Sequence, residues 1–203
     1  LIAIGGDLGS ERLLAAYRRG IFPWYEAEQP ILWWTPDPRL ILDPQRLHIG
    51  HTLRRTLRRG DFEIRFDTCF ETVIRACAEP RNGERGTWIT PAMIAAYVAL
   101  HRQGVAHSVE VWRTTKLVGG LYGIALGAAF FGESMFSREP GASKLALHAL
   151  CRYLLPWANA LIDCQLPSQH LLSLGAERVS RETFVHALAT ALAAPAPWPD
   201  RNL

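Results

Sequence analysis

The apolar positions of this chain change their period near residue 60. Beyond it, polar and apolar residues alternate over 63–66 and 107–113, a period of two that predicts strands. Residues 117–124, 128–135 and 161–165 are mostly apolar runs and read as three more strands. Elsewhere the period lengthens to that of a helix. Phe70, Val73, Ile74 and Cys77 share one helical face, with Asp67 or Thr68 expected to cap it. Ile94, Tyr97, Val98 and Leu100 belong to another helix, which Thr90 caps and Pro91 opens. Leu145, Leu147, Leu150, Tyr153 and Leu154 predict a long helix with Ser143 as its cap. A short helix over 169–174 and a last one over 183–192 follow, and the Pro-rich tail is expected to be loose.

Ahead of residue 60, proline and tryptophan interrupt the pattern. Residues 10–19 predict a helix capped by Ser10 and ended by Gly20, with Leu13, Leu14 and Tyr17 on one face. Pro23, Pro30, Pro36 and Pro38 forbid long regular elements after it. Residues 40–42 read as a short strand, and 51–59 as a helix with Leu53 and Leu57 inward. The sequence therefore predicts an α+β protein of two parts: a small Trp-, Pro- and Arg-rich N-terminal domain over 1–60, and a mixed-sheet domain over 61–203. There is no internal repeat.

With 203 residues, 49% of them hydrophobic, the chain is long enough to bury a core. A net charge of +3 does not by itself argue for a nucleic-acid partner, but its distribution is uneven. Arg54, Arg55, Arg58 and Arg59 lie on one predicted helix, Arg65 follows closely, and the only lysines are Lys116 and Lys144. Guanidinium groups suit bidentate phosphate contacts. A merely solvated helix face explains the first four arginines equally well. Cys69, Cys77, Cys151 and Cys164 form no C-x-x-C pair and lack zinc-site spacing, so they read as buried free thiols. No secretory signal and no membrane-spanning run is present, which predicts a cytoplasmic protein without membrane contact. The chain begins at Leu1, so further N-terminal sequence is expected.

Two carboxylates bring in chemistry. Glu133 stands inside Phe130-Phe131-Gly132-Glu133-Ser134-Met135-Phe136-Ser137, and Asp163 inside Leu161-Ile162-Asp163-Cys164-Gln165. A carboxylate among apolar residues is costly unless it is paired or used. Two of them mark a candidate reactive or polar-ligand site, although structural pairing explains either one alone. Strand alternation puts Asp163 and Gln165 on one face.

The element order resembles the N-acetyltransferase-like (GNAT) fold, a mixed sheet that splits to admit an acyl donor. Arg138-Glu139-Pro140-Gly141-Ala142-Ser143 stands where enzymes of that fold carry a CoA phosphate loop, R/Q-x-x-G-x-G/A. It keeps the Arg and the first Gly but ends in Ser, and a turn leading into an N-cap explains it better.

Six segments, in order, carry a more specific resemblance: Tyr17-Arg18-Arg19-Gly20-Ile21-Phe22-Pro23-Trp24, Ile31-Leu32-Trp33-Trp34-Thr35-Pro36-Asp37-Pro38-Arg39, Gly86-Thr87-Trp88-Ile89-Thr90, Val118-Gly119-Gly120-Leu121-Tyr122-Gly123, Gly132-Glu133-Ser134-Met135-Phe136-Ser137 and Ile162-Asp163-Cys164-Gln165. Together they closely resemble the bacterial leucyl/phenylalanyl-tRNA–protein transferase family, over nearly the whole chain and fading only in the tail. The resemblance implies an aminoacyltransferase. It would move Leu or Phe, and less well Met, from aminoacyl-tRNA to the α-amine of a protein beginning with Arg or Lys. A peptide bond forms, and the product carries an N-terminal degradation signal. Leu-tRNA, Phe-tRNA and such acceptor proteins are the implied partners, a monomer the expected state, and neither metal nor CoA nor another cofactor is required.

The resemblance also suggests roles. Asp163 and Gln165 match a proposed proton-accepting relay in which Gln165 orients the amine and Asp163 holds charge. An amide is not itself a base; in the competing reading, Asp163 and Glu133 bind the cationic acceptor while the ribose hydroxyl or water carries the proton. Trp24 and Trp88 match tryptophans that contact the terminal adenosine. Phe130, Met135, Leu147, Leu150 and Ile162 are candidates for the pocket of the transferred side chain, with Leu150 standing where a Phe lines it in the family. Arg54, Arg55, Arg58 and Arg59 would touch acceptor-stem phosphates. Without the resemblance, the tryptophans and the apolar residues all read as core. Two other functions fit the residues less well: a CoA-dependent N-acetyltransferase, and a non-catalytic RNA-binding module that would tolerate Asp163→Ala.

Overall fold

The computed structural model describes residues 1–80, 87–195 and Trp198; Gly86 and most of the Pro-rich tail lie outside the described residues. The first segment builds a small antiparallel sheet in the order β1 (Ala3–Ile4), β3 (Leu32–Trp34), β2 (Phe22–Pro23), with α1 (Ser10–Tyr17) between β1 and β2. Indole N–H groups tie it together: Trp33 donates to the Gly5 carbonyl at 2.9 Å and Trp34 to the Trp24 carbonyl at 2.8 Å. Strands of two or three residues are too short for an alternating period to appear in the sequence.

A seven-stranded sheet forms the rest, in the order β10 (Glu177–Val179), β4 (Arg39–Leu42), β9 (Leu161–Gln165), β8 (Ala129–Ser137), β7 (Lys116–Leu126), β6 (Ala106–Arg113), β5 (Glu63–Phe66). Every neighbouring pair is antiparallel except β8 and β9. The protein is thus α+β, with a small N-terminal sheet and a mixed C-terminal one. Sheet membership changes between Trp34 and Arg39, so β4, ahead of residue 60, is a strand of the large sheet.

Buried side chains form two clusters. One joins Ile124 and Phe131 to α1, α3 (Phe70–Cys77), α4 (Pro91–Arg102) and α7 (Arg181–Ala193). The other joins Leu121 and Phe130 to α5 (Ala142–Leu154) and to Leu53 of α2 (His51–Arg59). Successive strand residues point to opposite faces, so the clusters cover the two sides of the sheet. Gly119 allows α5 to lie on β7, since a Cβ there would be 2.5 Å from the Ala142 Cβ.

The helix starts correct several expectations. Thr90 caps α4 as predicted, its hydroxyl accepting the Met93 N–H. Ser10 does not cap α1; Gly9 holds that position, and the Asp7 carboxylate takes the Gly9 N–H at 2.8 Å. Neither Asp67 nor Thr68 caps α3 with its side chain. The fully buried Glu110 of β6 instead accepts the Thr68 and Cys69 N–H groups, at 3.0 and 3.1 Å, while Asp67 is engaged by His107 at 2.7 Å. Gly141, at φ +87°, precedes α5, and Ser143 lies within its first turn. At α3 a partner distant in sequence, and at α5 a left-handed backbone, took the role that local propensity had assigned. Leu57 is 37% exposed rather than inward. Trp198 is docked, donating to Asp67 at 2.8 Å and stacking on His107. Among the described residues no helix is long and apolar enough to cross a membrane.

Candidate active site

The parallel pairing of β8 with β9 covers only Ala129/Leu161, Phe130/Ile162 and Phe131/Asp163. Past Phe131 the two strands part, and a cavity of about 520 Å³ opens between them. Both strands carry an irregularity at the gap. Tyr122 faces Ser134 and Gly123 faces Gly132, which leaves Glu133 unopposed on β8. Leu40 faces Gln165 and Ile41 faces Asp163, which leaves Cys164 unopposed on β9. Such bulges re-aim side chains. Gln165 also adopts φ +63°, a left-handed conformation that is uncommon outside glycine. Alternation along β9 therefore ends at Gln165: its amide lines the cavity, whereas Asp163 points away from it.

Glu133 lies on the cavity wall at 8% exposure. Its Oε1 accepts the Tyr17 hydroxyl at 2.8 Å and the Gln165 amide N–H at 2.9 Å, and its Oε2 accepts the Tyr97 hydroxyl at 3.0 Å. The Tyr17 and Tyr97 hydroxyl oxygens are also within hydrogen-bond reach of each other, so their two protons are shared among this contact and the two to Glu133. Burial dominates the electrostatics and raises the Glu133 carboxyl from 4.5 to about 7, against the three donors and assisted by the charge of Asp163. The Tyr17 and Tyr97 hydroxyls are held well above their usual range, first by burial and then by the neighbouring Glu133 charge. Asp163 has no exposure and binds Arg39 bidentately, Nε to Oδ1 at 2.8 Å and Nη2 to Oδ2 at 2.6 Å. Cys164 lines the cavity, and desolvation, with the Asp163 charge beside it, raises its thiol strongly.

Met135, Leu147, Leu150 and Ile162 line the cavity together with Glu133, Gln165, Trp24 and Trp88. Phe130 does not; it is buried behind the wall, its ring stacked against Trp198 at 5.5 Å. Trp24 is 41% exposed and meets Trp34 edge-on. Arg54, Arg55, Arg58 and Arg59 are exposed on α2, away from the cavity; Arg54 and Arg58 border a separate shallow groove along residues 45–49. The Arg138–Ser143 segment is engaged by neighbours outside it: Arg138 binds Glu79 at 2.6 Å, and the Ser143 N–H goes to the Ser137 hydroxyl at 3.3 Å. Among the described residues no three His, Cys, Asp or Glu side chains cluster as metal ligands would.

Three site residues carry no chemical signal in their local pattern, although Tyr17 and Arg39 fall within the six family segments. Tyr17 and Tyr97 sit on apolar helix faces and read as core, yet their hydroxyls reach Glu133 across 116 and 36 residues. Arg39 precedes a short apolar strand, and its partner Asp163 lies 124 residues on.

Fold and cavity together define an α+β protein with a parted mixed sheet that can hold an apolar chain against a buried carboxylate–carboxamide pair, with indole faces beside it. The model of the leucyl/phenylalanyl-tRNA protein transferase family matches residues 41–189, and that of its N-terminal domain matches residues 6–37. The leucyl/phenylalanyl-tRNA–protein transferase of Stutzerimonas stutzeri (strain A1501) is 56% identical over 200 residues, spanning 98% of this chain and 88% of its own. That of Aromatoleum aromaticum is 61% identical over 189 residues, spanning 93% and 80%. The chain belongs to the leucyl/phenylalanyl-tRNA protein transferase family. Among solved structures, a GCN5-related N-acetyltransferase from Kribbella flavida is similar with 12% identity and a TM-score of 0.44, over 85% of this chain and 61% of that one.

Proposed function

We propose that this chain transfers Leu or Phe, and less well Met, from aminoacyl-tRNA to the N-terminal Arg or Lys of acceptor proteins, marking them for degradation. The observation that carries the reading is the Glu133–Gln165 pair, at 2.9 Å, on the wall of an otherwise largely apolar cavity. The aminoacyl side chain enters among Met135, Leu147, Leu150 and Ile162, with Phe130 supporting that wall from behind. Apolar pockets separate similar side chains by only about 1–3 kcal/mol, which fits overlapping use of Leu, Phe and Met. Trp24 and Trp88 offer faces on which the terminal adenosine stacks, worth about 1–3 kcal/mol. The exposed arginines of α2 meet backbone phosphates of the tRNA.

Glu133 is the one carboxylate among the cavity-lining described residues and attracts the cationic acceptor. The α-ammonium, with a pKa of roughly 8, must lose a proton before it attacks. A carboxylate raised to about 7 is matched to take that proton. The amine nitrogen then bonds to the ester carbonyl carbon. As the tetrahedral intermediate collapses, the carbon–oxygen bond to the ribose breaks, the electron pair leaves with the ribose oxygen, and that oxygen takes the second proton of the amine nitrogen, while the first passes from Glu133 to solvent. Gln165 orients the amine, and Asp163 supports Gln165 from outside the cavity. Much of the rate then comes from positioning. The chain acts as a monomer in this reading, in the cytoplasm, where its aminoacyl-tRNA substrate is found.

The test is transfer of labelled leucine from Leu-tRNA to a peptide beginning with Arg. Wild type is expected to transfer. Gln165→Ala and Glu133→Gln are expected to lose most transfer while still binding tRNA. No transfer by wild type with verified substrates, or acetylation from acetyl-CoA instead, would reject the reading.

A further inference from the structure

Arg39 is among the largest fully buried side chains of the protein. Phe22 and Phe184 cover its guanidinium, at 4.9 and 4.4 Å from their ring centres. Among the described residues its Nη1 has no hydrogen-bond partner, an arrangement that stability alone does not favour. What the guanidinium achieves is the orientation of Asp163, gripped through both carboxylate oxygens. The gripped Oδ1 also accepts the Gln165 N–H at 2.9 Å, closing a turn around Cys164. That turn carries Gln165 at φ +63° and delivers its amide to Glu133. A left-handed Gln persists only where its surroundings enforce it.

We propose that Arg39 is a positioning residue for the transfer reaction: by fixing Asp163 bidentately it holds the Gln165 turn, and so the Glu133–Gln165 pair, in working geometry. This rests on the reading of that pair as the site where the acceptor amine is placed. Asp163 then acts as a hydrogen-bond acceptor and as the counter-ion of Arg39, outside the path of the proton. Lysine cannot replace Arg39, because one ammonium cannot reproduce the guanidinium fork.

The test compares Arg39→Lys, Arg39→Met, Asp163→Asn and the double variant Arg39→Met/Asp163→Asn in leucine transfer, with thermal melting and Leu-tRNA binding measured on each. Arg39→Lys and Arg39→Met are expected to lower kcat about tenfold or more, with the KM for Leu-tRNA nearly unchanged. Asp163→Asn is expected to fall comparably, because it leaves Arg39 buried without a counter-charge. The double variant removes both buried charges, so it is expected to be more stable than Asp163→Asn, but it lacks the guanidinium fork and is expected to stay about tenfold or more below wild type in kcat. A double variant, or Arg39→Met alone, that folds and keeps wild-type kcat overturns the proposal, because the turn would then hold without the grip. Full activity in Arg39→Lys overturns it as well. Absence of transfer by wild type would instead strike the functional reading beneath it.

Discussion

Replacing Glu133 by Gln tests the environment of the site through stability, independently of turnover. In the folded protein the Glu133 carboxyl rises from 4.5 to about 7, chiefly through burial. Between those values the folded state binds more protons than the unfolded chain, so stability falls as pH rises through this window. The span is roughly two and a half pH units at about 1.4 kcal/mol each, so this group lowers stability by about 3 kcal/mol once pH exceeds both values. Gln keeps the shape and an acceptor for Tyr17 and Gln165, and the Tyr97 hydroxyl can turn to accept from the new amide. It carries no charge, so the pH-dependent loss disappears. Urea unfolding of both proteins at about pH 5 and about pH 8 should show the difference, variant minus wild type, moving in favour of the variant by about 2 kcal/mol. The offset at either pH includes packing changes; the movement between them does not. A difference that stays level, or moves in favour of wild type, would refute a raised Glu133. In the transfer assay, wild-type kcat/KM should climb with pH to a plateau as Glu133 ionises near 7, while Glu133→Gln stays low and lacks that limb.

Other substitutions probe the remaining parts. Leu150 is buried in the cavity wall, so Leu150→Phe should shrink the cavity and disfavour Phe relative to Leu by about 1–3 kcal/mol; competition between Phe-tRNA and Leu-tRNA checks this, and a gain for Phe would contradict it. Trp88→Ala should raise the KM for Leu-tRNA roughly ten- to a hundredfold at similar kcat, as expected from removing one stacking face; an unchanged KM would return Trp88 to a packing role. Changing Arg54, Arg55, Arg58 and Arg59 to Gln should flatten the salt dependence of tRNA binding by about 0.7–0.9 in log–log slope for each phosphate no longer neutralised, and an unaltered slope would leave them a solvated helix face.

Much of the framework was legible in the chain. Strands β5 and β6 follow from a period of two, β7 to β9 from apolar runs, and helices α2 to α5 from a period near 3.6. The paired cues of Thr90 and Pro91 located the start of α4, since both residues act within its first turn. The short strands β1, β2, β3 and β10 have too few residues to show a period, and the starts of α3 and α5 depended on Glu110 and on the backbone at Gly141. Sequence patterning placed Asp163 and Gln165 together on one face; the bulge at Cys164 and the left-handed Gln165 part them.

By itself the sequence determined the alternation of strands and helices, the two carboxylates within apolar runs and the six ordered segments that mark the family, because each is written in neighbouring residues. The tertiary structure alone decided that Glu133 is the carboxylate facing the cavity, that Tyr17, Tyr97 and Gln165 serve it, and that Asp163 turns away to Arg39. The physical reason is that a buried charge must find donors wherever the fold brings them. Here they come from α1, α4, β4 and β9, dozens of residues apart, and no local pattern encodes such a meeting.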